Sequence, residues 1–150
     1  MNLEMKNLIN MWYKTSQGIV TFDFDSTLTT PAWDWVNQTW TGGDEPNWDM
    51  IAELKRYAAQ GKIIHIVTSR HPDVAQTADP NQKFTSVEDF VAKYQLPVAQ
   101  IHYTAGEPKG PILQQLGSEM HHDDDEEEIN SATDAGVQSY KVPHLFDNTP

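Results

Sequence analysis

A chain of 150 residues is long enough for one domain with its own core, and its 38% of hydrophobic residues fall in blocks, which argues against disorder. A formal net charge of −12 disfavours a long polyanion as partner, but a bound cation can reverse that field locally, so a small phosphorylated group stays admissible. The absence of cysteine excludes disulfides, thiolate metal sites and a cysteine nucleophile.

The opening residues, MNLEMKNLIN, lack the basic start and apolar run of a signal peptide. No stretch approaches the roughly 20 apolar residues that span a bilayer. The expectation is a soluble, cytoplasmic protein without a membrane partner, its oligomeric state open. Residues 1–150 read as a single domain, with 1–17 as an N-terminal helical arm carrying Met5, Leu8, Ile9 and Trp12 at helical spacing.

Past Gly18, Ile19 to Phe24 reads as a strand. Leu28 to Trp48 holds Pro31, Gly42, Gly43, Pro46 and the tryptophans Trp33, Trp35, Trp40 and Trp48, the composition of an ordered loop or small flap. Asp49 or a neighbour caps a helix to about Gln60, with Ile51, Leu54, Tyr57 and Ala58 as its buried stripe and Gly61 as its stop. Ile63 to Val67 is an apolar strand, followed by a polar loop with Pro72 and Pro80. Thr85 and Glu88 match a capping box opening a helix to about Gln95.

Ala99 to Tyr103 is the next strand, and Lys109 to Leu116 a short helix with Pro111 in its first turn. Glu119 to His122 makes a polar, weak strand. Glu126 to Ala135 forms a helix closed by Gly136, and Val137 to Val142 a last strand. Alternating strands and helices predict an α/β fold: a doubly wound parallel sheet with helices on both faces. In such sheets chemistry gathers at the carboxyl ends of the strands, near the point where strand order reverses.

The first strand runs into Asp23-Phe24-Asp25-Ser26-Thr27. With period two, Asp23 and Asp25 share one side, and two such carboxylates need a cation or a shared proton. The second strand ends in Thr68-Ser69-Arg70, which offers a hydroxyl donor and a charge for phosphoryl oxygens. His65, within that strand, reads as a core histidine. Gly106 to Pro111 delivers Lys109 to a helix start, where a cation is unfavourable for the dipole unless an anion lies near. The run from Asp123 to Glu128 usually means a solvated acidic face. Here it sits where a strand hands over to a helix, which would place Asp123 and Asp124 at the sheet edge, open to a hard cation. The pair His121-His122 hints at zinc, but adjacent residues of a strand face opposite ways. Oxygen ligation of magnesium is the preferred expectation.

In this order, the four segments resemble the motifs of the haloacid dehalogenase (HAD) superfamily. Asp23-Phe24-Asp25-Ser26-Thr27 resembles its DxDxT signature, Thr68 its second-motif hydroxyl, Lys109 its third-motif lysine and Asp123-Asp124 its acidic pair. Ile129, Ala132, Ala135 and Gly136 continue the last motif's helix pattern, so the resemblance covers about Ile19 to Val142. It implies a Rossmann-like HAD core whose first-motif strand lies between the second-motif and fourth-motif strands.

The resemblance further implies a magnesium-dependent phosphomonoesterase. Asp23 would be the nucleophile forming an aspartyl phosphate, and Asp25 the acid and base. Thr68 and Lys109 would act in catalysis and, with Ser69 and Arg70, hold the substrate phosphate. Asp23, the Asp25 backbone carbonyl, Asp123 and Asp124 would hold Mg2+. Some 45 residues separate the first two motifs, leaving no room for a large cap domain. The layout, Thr68-Ser69-Arg70 included, is similar to the phosphatase part of bacteriophage polynucleotide kinase. That resemblance implies as substrate a small phosphorylated compound such as a nucleotide, or a nucleic-acid end with a 3′ phosphate.

One or two flap tryptophans could stack on a base, although packing of the flap onto the body is the simpler expectation. Two rivals are a receiver domain and a non-catalytic, metal- or phosphate-binding HAD-like module. A receiver carries its acidic pair on the first strand too, but needs an aspartate after the third, where this chain has Tyr103-Thr104. The non-catalytic module is opposed by Asp25, which members that only bind often lack.

Overall fold

Hydrophobic alternation sets the central strand, β1 (Ile19–Phe22), whose Val20 and Phe22 face one side of the sheet and Thr21 the other. In the computed structural model, which describes residues 17–41, 43–72 and 85–143, β1 is flanked by β4 (Ile63–Thr68) and β6 (Ser118–Asp123), both parallel to it. Strand β5 (Val98–Tyr103) lies outside β4, and β7 (Ser139–Lys141) outside β6. The order β5-β4-β1-β6-β7 therefore reverses at β1. This is the doubly wound parallel sheet the sequence predicts.

Helix α1 (Trp48–Ala59) starts at Asn47, whose side chain accepts from the Met50 amide, so the capping neighbour of Asp49 is Asn47. Its Ile51 and Leu54 pack with Val87 and Phe90 of α2 (Val87–Lys93) against Val20, Phe22, Ile64 and Ile66. Full burial of each such side chain contributes about 1.5–3 kcal/mol. On the opposite face, α3 (Gly110–Leu116) and α4 (Glu126–Asp134) make a smaller apolar cluster of Val67, Leu113, Ala132 and Val137. The sheet side chains beside it are polar: Thr21, His65, Ser118 and His121 are all buried.

Several expectations shift. Ser86, not Thr85, caps α2, accepting from Asp89 N at 3.0 Å. Thr85 donates its amide to Asp44 instead, and Glu88 accepts from the Tyr103 hydroxyl rather than closing a capping box. The weak strand around Glu119 to His122 is a full strand beside β1, because its polar side chains find buried partners. The first strand stops at Phe22, and the last spans only Ser139–Lys141.

The flap is a hairpin of β2 (Ala32–Asp34) and β3 (Thr39–Thr41), closed at its base by a bridge between Thr29 and Pro46. No larger insertion separates the motifs among the described residues, in keeping with a core that lacks a large cap. Its Trp33 and Trp35 rings meet edge to face at 6.1 Å, and Trp35 is 71% exposed, so it does not pack onto the body. Trp48, at the start of α1, meets Tyr94 edge-on at 5.6 Å. The helix expected across Met5 to Trp12 and the loop through Pro80 lie outside the described residues. No helix among the described residues is long and apolar enough to cross a membrane.

Candidate active site

Beyond Phe22 the chain leaves the sheet in a tight loop: the amides of Thr27, Leu28 and Thr29 all point at the Phe24 carbonyl. Ser26 takes a left-handed φ of 60° to make this turn, a conformation that side chains resist. The turn aims the buried Asp23 into the space between the ends of β1 and β6, while Phe24 returns to the core. The Asp23 amide donates to His122 O at 2.8 Å, holding the loop to β6.

Lys109 reaches the same point from the other side. The amides of Thr104, Ala105 and Gly106 donate to the carbonyls of Thr68, Arg70 and Ser69, so the loop after β5 stays zipped to the end of β4. Two side chains of α4 then receive it: Glu128 accepts from Lys109 N and Ser131 from Gly110 N, each at 2.9 Å. The Lys109 ammonium donates at 2.7 Å to both Asp23 Oδ1 and Asp123 Oδ2. All three side chains are buried, at 2%, 7% and 1% exposure.

Thr27 Oγ1 donates to Asp23 Oδ2 at 3.1 Å and approaches Asp124 Oδ1 at 3.4 Å. Oxygens of Asp23, Asp123 and Asp124 thus lie within 4.8 Å of one another. Three carboxylates share one ammonium, and the imbalance falls on Asp23: burial, then Asp123 and Asp124, push it well above the carboxylate range against the pull of Lys109. Burial opposes ionisation of Asp123 too, but hydrogen bonding from His121 and the charge of Lys109 hold it down, to about 2. The Lys109 ammonium is raised by its two carboxylates despite its burial. An all-oxygen cluster with surplus negative charge fits a hard divalent cation such as magnesium.

Asp25 turns away from this cluster. Its two oxygens accept from Arg70 Nε at 2.9 Å and Nη2 at 2.7 Å, a bidentate pair. Arg70 also donates to Thr85 O and lies over the Phe24 ring at 4.9 Å. Since Thr85 N donates to Asp44 at the flap base, hydrogen bonds run from flap to Asp25. Thr68 is buried at the end of β4, where its hydroxyl accepts from Arg70 N, and Ser69 is exposed beside it.

The structure therefore gathers Asp23, Lys109, Asp123 and Asp124 directly, pairs Asp25 with Arg70, and sets Thr68 at the next strand end. Three residues that sequence reasoning left off the site also converge there. Thr27 was signalled by the DxDxT spacing. His121 and Glu128 were not, since a histidine in a polar strand and one glutamate in an acidic run give no local sign of their partners. His65 bonds His102 ring to ring at 2.8 Å, a satisfied histidine, as expected.

A DxDxT-like loop on the reversal strand, with Thr68 on one flanking strand and Asp123 on the other, is the arrangement the resemblance implied. The fold is a doubly wound α/β core with the strand order β5-β4-β1-β6-β7. No protein-family model matches the chain, and no curated protein does. Among solved structures, this fold is similar to a chain of the Pnkp1/Rnl/Hen1 RNA repair complex, with TM-score 0.60 and 17% identity over 87% of this chain and 44% of that one. A second structure of the Pnkp1/Rnl/Hen1 complex gives TM-score 0.57 and 18% identity over 87% and 47%. A 3-deoxy-D-manno-octulosonate 8-phosphate phosphatase from Moraxella catarrhalis, in complex with magnesium, phosphate and KDO, gives TM-score 0.47 and 17% identity over 87% and 72%. The chain spans less than half the length of the two repair-complex chains it matches.

Proposed function

We propose that this chain is a magnesium-dependent phosphomonoesterase in which Asp23 is the covalent nucleophile. The observation that carries the reading is the buried Lys109 ammonium held at 2.7 Å from both Asp23 and Asp123, with Thr27 and Asp124 beside them. A structural ion pair needs one carboxylate; an ammonium among three suits a site that must also take up a cation and a phosphoryl dianion.

Asp23, Asp123 and Asp124, with the Asp25 backbone carbonyl, are the residues to hold magnesium, which when bound supplies positive charge against the phosphoryl oxygens. Asp23 Oδ attacks phosphorus, forming the new P–O bond as the ester P–O bond breaks. Asp25 protonates the departing oxygen, then takes a proton from the water that cleaves the aspartyl phosphate. Lys109 and the Thr68 hydroxyl donate to phosphoryl oxygens whose charge they stabilise. In the free protein Arg70 donates to both oxygens of Asp25. A phosphate arriving beside Ser69 and Arg70 competes for the guanidinium and releases Asp25 to carry its proton.

A nucleotide or a nucleic-acid end bearing a 3′ phosphate is the proposed substrate. Its support is the resemblance to the phosphatase part of bacteriophage polynucleotide kinase and the likeness in fold to a chain of an RNA repair complex. One observation favours a second reading, a metal- and phosphate-binding module without turnover: Asp25 is fully engaged by Arg70. Phosphate release from 3′- and 5′-phosphorylated nucleosides and oligonucleotides, with and without magnesium, separates the two. Magnesium-dependent release with a preference for 3′ ends is expected. Silence across the set, in folded protein that binds magnesium, would establish the non-catalytic module.

A further inference from the structure

On the α3–α4 face of the sheet, a chain of buried polar side chains ends on the carboxylate cluster and takes no part in the chemistry above. Thr21 and His121, register partners on β1 and β6, are wholly buried, and Ser118 nearly so. Ser118 Oγ lies 2.8 Å from Thr21 Oγ1, which lies 2.9 Å from His121 Nδ1. His121 Nε2 lies 2.9 Å from Asp123 Oδ2. The Asp123 carboxylate only accepts, so Nε2 carries a hydrogen and donates it.

Burying three polar side chains inside a sheet is unfavourable unless all are satisfied, and apolar residues would fill the same space. Their shared consequence is the orientation of Asp123. Lys109 alone cannot fix that carboxylate, because its ammonium is divided between Asp23 and Asp123 on a flexible stem. His121 grips Oδ2 from a rigid strand, while the Asp125 amide donates to Oδ1 at 3.0 Å.

We propose that His121, braced by Thr21 and Ser118, is a positioning residue that holds the Asp123 carboxylate toward Asp23 and Asp124 and thereby sets the affinity of the cluster for a divalent cation. This rests on Asp123 being a metal ligand, as the phosphohydrolase reading has it. His121 touches neither cation nor substrate. Partners that orient metal ligands typically change metal affinity by roughly 10- to 100-fold when removed.

The test is calorimetric titration of magnesium into wild type, His121→Phe, His121→Gln and Thr21→Val, with thermal unfolding in chelator as the control for packing. His121→Phe is expected to weaken magnesium binding by roughly tenfold or more. His121→Gln, which keeps a donor near the Nε2 position, is expected to stay within a few-fold of wild type. Thr21→Val keeps its shape, loses only the brace, and is expected to fall between them; it carries the test alone should His121→Phe not fold. Wild-type affinity in both His121→Phe and Thr21→Val would overturn the proposal. So would equal losses in the Gln and Phe variants that merely track their metal-free stability. Magnesium binding that follows the expected order without any turnover would sink the phosphatase reading and leave this one standing. A wild type that binds no magnesium would overturn both.

Discussion

Lys109 is the residue on which the site depends, since one ammonium holds two buried carboxylates together. Lys109→Met leaves both uncompensated, and removing one partner of a buried pair destabilises by about 3–5 kcal/mol. Urea unfolding without metal is expected to show that loss, and Lys109→Met combined with Asp123→Asn is expected to recover part of it. The neighbouring His122 makes a different statement. It stacks on Phe22 at 4.1 Å and donates to the Thr21 carbonyl, and burial presses its pKa down to about 4 from an ordinary 6.5. The unfolded chain therefore binds a proton that the folded chain refuses between those values. The stability that His122 contributes is fully present above about pH 6.5 and is lost as the pH drops toward 4, by about 3 kcal/mol at 1.36 kcal/mol per pKa unit. His122→Phe keeps the stacking and is expected to flatten that slope in urea titrations at stepped pH.

At the scale of elements, the loop after β5 meets α4 at a point where only glycine fits. A Cβ on Gly110 would lie 2.5 Å from Ser131 O and 2.7 Å from Ser131 Oγ. Gly110→Ala must push α3 off α4 and carry Lys109 with it, so both metal-free stability and turnover are expected to fall, whereas Gly106→Ala meets no atom within 4 Å and costs only the strain of its φ of 84°. The register of these elements was legible to different depths. Strand β4 and helix α1 were plain, because Ile64, Ile66, Ile51 and Leu54 carry the period of their element in their side chains. Strand β6 was faint, because His121, His122 and Asp123 are buried for their partners rather than for their hydrophobicity. The Thr85–Glu88 pattern misled by one residue, since Asp44 and Tyr103, distant in sequence, claim those groups. The residues gathered around Asp23 were legible as motifs; the Arg70–Asp25 pair was not, because it joins two of them across 45 positions.

The whole molecule carries twelve surplus negative charges, and its candidate site concentrates three carboxylates on one ammonium. Magnesium should therefore stabilise the folded chain: a ligand at 100 times its dissociation constant adds about 2.7 kcal/mol. Thermal unfolding is expected to shift upward with magnesium in wild type. Asp124→Asn relieves repulsion on Asp23, so it is expected to cost no stability in chelator and to shrink the magnesium-dependent shift. Loss of metal-free stability in that variant would contradict the charge balance described for the site.

Whether Asp23 takes the phosphoryl group is read from phosphate release under magnesium by wild type and Asp23→Asn, together with mass spectrometry of acid-quenched Asp25→Asn. Turnover in wild type, none in Asp23→Asn, and a phosphate adduct on the peptide containing Asp23 are the predicted results. Sustained magnesium-dependent turnover by Asp23→Asn would rule out Asp23 as the nucleophile.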